Sequence, residues 1–170
     1  MKFSAQEEYG LRCLLQLARL KENESLTIPQ ITQREGLTEP NVAKLLSILR
    51  KEGFIQSTRG QTGGYRLSRR ADEIIIGDVM EVLGGRLYDK TYCAKHGGYD
   101  GACVHISDCS LKSLWNDIQA TVDAVVDRIT LSDLLISGQS QVTRLQKDMP
   151  LRRGSMPAKE GVRPREPIRS

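Results

Sequence analysis

LTEPNVAKLLSILRKEGFIQSTRGQTGGYRLSR, residues 37–69, reads as a helix that runs straight into a two-stranded hairpin. Thr38 stands where the helix N-cap belongs, Pro40 falls in the first turn, where a missing N–H costs nothing, and Gly53 supplies the stop. Val42, Leu45, Leu46 and Leu49 recur at helical spacing and form one stripe for burial. Phe54–Ser57 and Tyr65–Ser68 each suit a strand, and Arg59-Gly60-Gln61-Thr62-Gly63-Gly64 between them holds turn residues able to take positive φ.

The residues upstream complete a motif. TIPQITQR, residues 27–34, reads as a short helix capped by Thr27, with Pro29 in its first turn and Gly36 at its end. Two helices joined by a tight glycine-containing turn form a helix-turn-helix, and a hairpin directly behind it is a wing. Residues 4–20 carry a broad apolar helical face that includes Tyr9, Leu11, Leu14, Leu15, Leu17 and Ala18. Cys13 lies on that face and reads as a small core residue. After the wing, IIIGDVMEVLG, residues 74–84, reads as a helix returning to the head. From Leu111 to Ile129 apolar residues recur at i, i+3/4 for about five turns. Such a helix is too long for a small head to cover, and its simplest partner is the same helix of a second chain. A short helix near Leu131–Ile136 closes the fold. The expected class is mainly α with a small β-hairpin wing.

This plan sends the exposed N-terminal end of the second helix into a major groove of double-stranded DNA. The residues there are Thr38, Glu39, Pro40, Asn41 and Lys44. Asn41 suits an adenine edge, and Lys44 suits guanine or a phosphate. At the wing tip, Arg59 suits a narrow minor groove, with Gln61 beside it.

A second constellation lies downstream. CAKHGGYDGACVHISDC, residues 93–109, places Cys93, Cys103 and Cys109 at Cys-x9-Cys-x5-Cys. In a reduced compartment such thiols bind soft metals or iron–sulfur clusters. The spacing is not that of a zinc ribbon, which uses close cysteine pairs. Gly97, Gly98 and Gly101 let the segment wrap a bulkier object and offer N–H donors to cluster sulfides. Three thiolates fall one short of four ligands. His96, His105, a carboxylate or an outside ligand can complete the set, although a histidine in a polar loop more often faces solvent. A redox thiol switch is the competing use of the same cysteines.

Composition excludes other classes. No apolar run approaches the length of a membrane span, and the opening MKFSAQEEYG lacks a signal-peptide pattern, which makes the cytoplasm the expected location. No Ser/His/Asp set, carboxylate pair or phosphate loop stands out, so an enzyme is not expected. From Lys147 to Ser170 there are seven Lys or Arg and three Asp or Glu, so this tail carries the whole net charge of +4. It also holds four of the six prolines, and it reads as a disordered tail. The expected division is 1–84 for the DNA-reading head, 85–110 for the cysteine loop, 111–137 for the dimerisation and closing helices, and 138–170 for the tail.

MKFSAQEEYGLRCLLQLA, the recognition helix and wing with RGxxGGYxL, IIIGDVMEVLGG, the three cysteines and SLWNDIQATVDAVVDRITLSDLL together resemble the IscR/NsrR/RirA group of bacterial winged-helix regulators, the Rrf2 superfamily. The resemblance covers roughly residues 1–137. It implies a homodimer crossed through the long helix and a 2Fe–2S or 4Fe–4S cluster on Cys93, Cys103 and Cys109, controlling affinity for an operator in response to iron, redox state or nitric oxide. IscR-type members place a histidine three residues after the last cysteine, where this chain has Lys112. NsrR-type members instead use a carboxylate from the first helix of the partner, which here matches Glu8 of the partner subunit, with Glu7 adjacent. Some relatives are clusterless and respond to thiol chemistry or a metabolite, which is the alternative reading.

Overall fold

The computed structural model describes residues 4–58, 63–88, 92 and 109–136. Helix α1, Ala5–Ala18, starts from a reciprocal cap: Ser4 Oγ accepts from the Glu7 N–H at 3.2 Å, and Glu7 Oε2 accepts from the Ser4 N–H at 2.7 Å. Helix α2, Ile28–Glu35, repeats the device with Thr27 and Gln30 and ends on Gly36, whose φ of 66° suits a residue without Cβ. Helix α3, Glu39–Lys51, ends where the Phe54 N–H reaches the Leu49 carbonyl at 2.9 Å and the Gly53 N–H reaches that of Arg50 at 3.1 Å. Only three residues, Gly36 to Thr38, separate α2 from α3, as the helix-turn-helix reading requires.

Strands β1, Ile55–Thr58, and β2, Gly64–Leu67, pair antiparallel from Ile55↔Leu67 to Thr58↔Gly64. β1 lies one residue later than its sequence-based position, because the Phe54 N–H is taken up by the closing turn of α3, and β2 lies one residue earlier, where Gly64 pairs with Thr58. A further bridge, unforeseen in the sequence, joins Leu26 to Tyr65. It explains Gly64: a Cβ there would lie 2.7 Å from the Leu26 carbonyl oxygen.

Helix α4 runs Ile76–Gly84, not from Ile74. Ile74 and Ile75 stay extended because the returning chain pairs with them. The Leu131 N–H bonds to the Ile74 carbonyl and the Ile76 N–H to the Ile129 carbonyl, each at 2.8 Å. Helix α5, Ser110–Val126, therefore stops short of Ile129, and the expected closing helix is a single 3-10 turn at Asp133–Leu135. Leu14, Leu17, Ile31, Val42, Leu46, Leu49, Ile55, Ile74, Val79 and Leu131 form one core shared by α1 to α4 and the hairpin.

Helix α5 differs from the others. It rests lightly on α4, and Leu111, Leu114 and Trp115 are 59%, 48% and 42% exposed. Its only buried residue is Gln119. Among the described residues no helix is long and apolar enough to cross a membrane.

Candidate nucleic-acid interface and thiolate segment

Helix α3 is divided cleanly between core and surface. Val42, Leu45, Leu46 and Leu49 are buried, while Glu39, Pro40, Asn41 and Lys44 are exposed on the opposite side. Four buried anchors fix the azimuth of the helix, so its polar face is presented rigidly. Thr38 occupies the N-cap with extended backbone, but its side chain makes no capping hydrogen bond, contrary to the sequence-based expectation. Pro40 has no N–H to offer at N2, and the helix begins on the backbone bond from the Val42 N–H to the Thr38 carbonyl, 3.1 Å. The exposed Thr38 hydroxyl is thus left at the protruding end of α3. Arg59 and Gln61 lie outside the described residues.

A polar clamp sets the angle of the motif. Arg12 donates from Nε to Glu35 Oε2 at 2.6 Å and from a terminal nitrogen to the Glu35 carbonyl at 2.7 Å, and Gln16 donates to the other carboxylate oxygen. Glu35 is the last residue of α2, so α1 holds the chain just before the turn into α3. The hydrogen bond to Glu35, reinforced by its charge, raises the pKa of Arg12 above its ordinary value. Nothing in the sequence marks this pair, because its partners are 23 residues apart.

Of the expected ligands, Cys93 and Cys103 lie outside the described residues, as do His96 and His105. Cys109 is half-buried at the N-cap of α5. Its carbonyl accepts from the N–H groups of Lys112 and Ser113, while its thiol makes no capping bond. The positive end of the α5 dipole favours an anionic group at this position. Among the described residues no three His, Cys, Asp or Glu side chains converge on a point.

The two first-helix carboxylates differ in availability. Glu7 is half-buried and engaged with Ser4, whereas Glu8 is exposed. The chain entering the cysteine segment is pinned to α5. Gln119 Oε1 accepts from the Tyr88 N–H at 2.9 Å, and Gln119 Nε2 donates to Asp123 Oδ1 at 2.7 Å.

Cys13 is fully buried, as its place on the apolar face of α1 suggests. Desolvation, with the Glu35 carboxylate adding to it and Arg12 opposing, pushes its thiol pKa from 9.0 up to about 11. Such a thiol is a poor nucleophile and a poor sensor. Its titration has a sign that can be tested. The folded state holds the proton more tightly than the unfolded state, so the stabilisation is present below about pH 9 and is lost as pH rises towards 11. The full loss is roughly 2–3 kcal/mol. Urea midpoints at pH 8 and pH 10.5 should therefore fall more steeply for the wild type than for Cys13→Ala; parallel falls would contradict the assignment.

A helix-turn-helix followed by a hairpin wing, with the outer side of α3 bare, defines a winged-helix fold of the kind that transcription regulators use to read DNA. The profile described as "Rrf2: Iron-dependent Transcriptional regulator" matches residues 3–137, and the chain belongs to this family. It is 30% identical over 135 residues to Protein rrf2 of Nitratidesulfovibrio vulgaris, covering 79% of this chain and 87% of that protein. It is 29% identical over 141 residues to the HTH-type transcriptional regulator IscR of Aliivibrio salmonicida, covering 83% and 81% respectively. Among solved structures, CymR, described as the global cysteine regulator of B. subtilis, superimposes with a TM-score of 0.64 at 30% identity, covering 79% of this chain and 96% of that one. T. potens IscR superimposes with a TM-score of 0.62 at 31% identity, covering 79% and 86%.

Proposed function

We propose that the chain is a cytoplasmic, operator-binding homodimer whose affinity for DNA is set by an iron–sulfur cluster on Cys93, Cys103 and Cys109, completed by Glu8 of the partner subunit. The observation that carries the reading is the clustering of these three cysteines within one short segment, inside the span matched to a family described as iron-dependent. Two features of the fold support it. Glu8 is exposed while Glu7 is engaged, so Glu8 is the carboxylate free to meet a second subunit. The bare apolar face of α5, Leu111, Leu114 and Trp115, gives that subunit a place to dock.

The described part of the ligand set fits such a group: a half-buried thiol with no capping duty and an accessible carboxylate. A bound cluster supplies iron–sulfur bonds that respond to iron supply, redox state or nitric oxide. The chain's own residues translate that response. Cys109 begins α5, α5 rests on α4, and α4 packs against α1 and α3. A shift of α5 therefore moves the head to which α3 belongs. Two recognition helices must meet two half-sites in register, and a coupling of about 1–3 kcal/mol gives a regulatory change. Residues 1–84 read DNA, 85–110 carry the thiols, and 111–137 join two copies. Thr38, Glu39, Pro40, Asn41 and Lys44, with Arg59 and Gln61 from the wing, make the DNA contacts.

The similarity to B. subtilis CymR favours a second reading, a clusterless regulator that responds to thiol chemistry or a metabolite. Binding of anaerobically purified protein to the promoter region of its own gene separates the two. Under the cluster reading, stripping iron changes affinity by about 5–150-fold. Unchanged affinity after stripping, together with a response to thiol oxidants, supports the second reading instead.

A further inference from the structure

Between α4 and α5 lies a groove of about 390 Å³ that no part of the DNA-reading machinery uses. Met80, Leu87, Val122 and Val126 give it apolar walls. Its rim is acidic, with Asp78, Glu81, Asp123 and Asp127. Arg86, the one basic residue among the described lining, is already paired with Asp123 and lies 3.5 Å from Glu81. Asp78 and Asp127 are exposed and make no ion pair among the described residues. The groove therefore asks for a cationic segment with some apolar character.

We propose that its occupant is the basic tail of the same chain, residues 147–170. The tail carries the chain's whole net charge of +4, and Met149, Leu151, Met156 and Val162 are interspersed among its cations. The chain leaves the fold beside the groove: Thr130 is bridged to Ile75, a lining residue, and the described chain ends six residues later at Ile136. Arg152 lies sixteen residues beyond Ile136 in the sequence, and at up to about 3.3 Å per residue that length of chain is ample to reach the groove. Such tethering gives an effective concentration of about a millimolar, so a weak, salt-sensitive affinity fills the groove. While docked, the tail's cations are withheld from DNA phosphates. The proposal does not depend on a cluster.

Zero-length carbodiimide coupling of the full chain at low salt, read by mass spectrometry, tests it. Lys147 or Lys159 should be joined to Asp78, Glu81, Asp123 or Asp127. The links should vanish at about 0.5 M salt, where screening reaches a few Å. Replacing both exposed acids, Asp78→Asn with Asp127→Asn, should remove most of them while the urea midpoint shows the protein still folded. Three outcomes overturn the proposal: no tail links, links chiefly to distant carboxylates such as Glu22 or Glu52, or links found only between heavy and light chains of an isotopic mixture. The last would give the groove to a second copy.

Discussion

Asn41→Ala should weaken operator binding by about 1–3 kcal/mol at each half-site, the usual worth of a bidentate base contact. In the proposed dimer both half-sites feel the change, so the total loss is roughly thirty-fold or more. The effect should be selective. Asn41 is exposed on α3, next to the fully buried Val42, and removing its amide leaves the core untouched. Binding to scrambled DNA should therefore stay nearly constant. Lys44→Ala serves as the contrast. If Lys44 meets a phosphate, it weakens specific and non-specific binding alike and flattens the salt dependence. Fluorescence anisotropy on operator and scrambled duplexes at several salt concentrations reads both. Equal losses on the two duplexes for Asn41→Ala would remove Asn41 from base reading.

Leu46→Ala should cost about 2–5 kcal/mol of stability. Leu46 is fully buried near the middle of α3, a helix that packs against α1, α2 and α4. Truncation leaves a cavity that three surrounding helices restrain from collapsing. Against a total of about 5–15 kcal/mol for a domain of this size, that is a large fraction. The urea midpoint should fall with an unchanged m-value. A loss below about 1 kcal/mol would mean that the core can relax around α3, and that the rigid presentation of Asn41 and Lys44 is overstated.

The head was legible because its signals are local. Two threonines, two prolines and two glycines mark the ends of α2 and α3, and the leucine stripe assigns the buried side of α3. The winged-helix class follows from that short stretch, and the family resemblance adds the first helix, the three cysteines and the long helix to it. What the sequence hid depends on partners far apart in the chain. Ile74 and Ile75 look helical by composition, yet residues 129–131 draw them into pairing and delay the start of α4. The Leu26–Tyr65 bridge is equally non-local, and only Gly64 hints at it. Thr38 has the right residue type for a cap but makes no side-chain bond there, since residue type fixes propensity and not contact. The Arg12–Glu35 clamp and the buried Gln119 carry no periodic signature at all. For the thiolate site, Cys109 has its place at the head of α5 and Cys13 its place in the core. Cys93 and Cys103 lie outside the described residues, and their proposed role as ligands rests on spacing and the family alone.

Iron and acid-labile sulfide, measured per chain on protein purified without oxygen, bear on the cluster most directly. The proposed ligation predicts a brown protein containing both, and a colourless Cys103→Ala variant containing neither. A colourless wild type that holds zinc, or iron that survives loss of the cysteines, would contradict it.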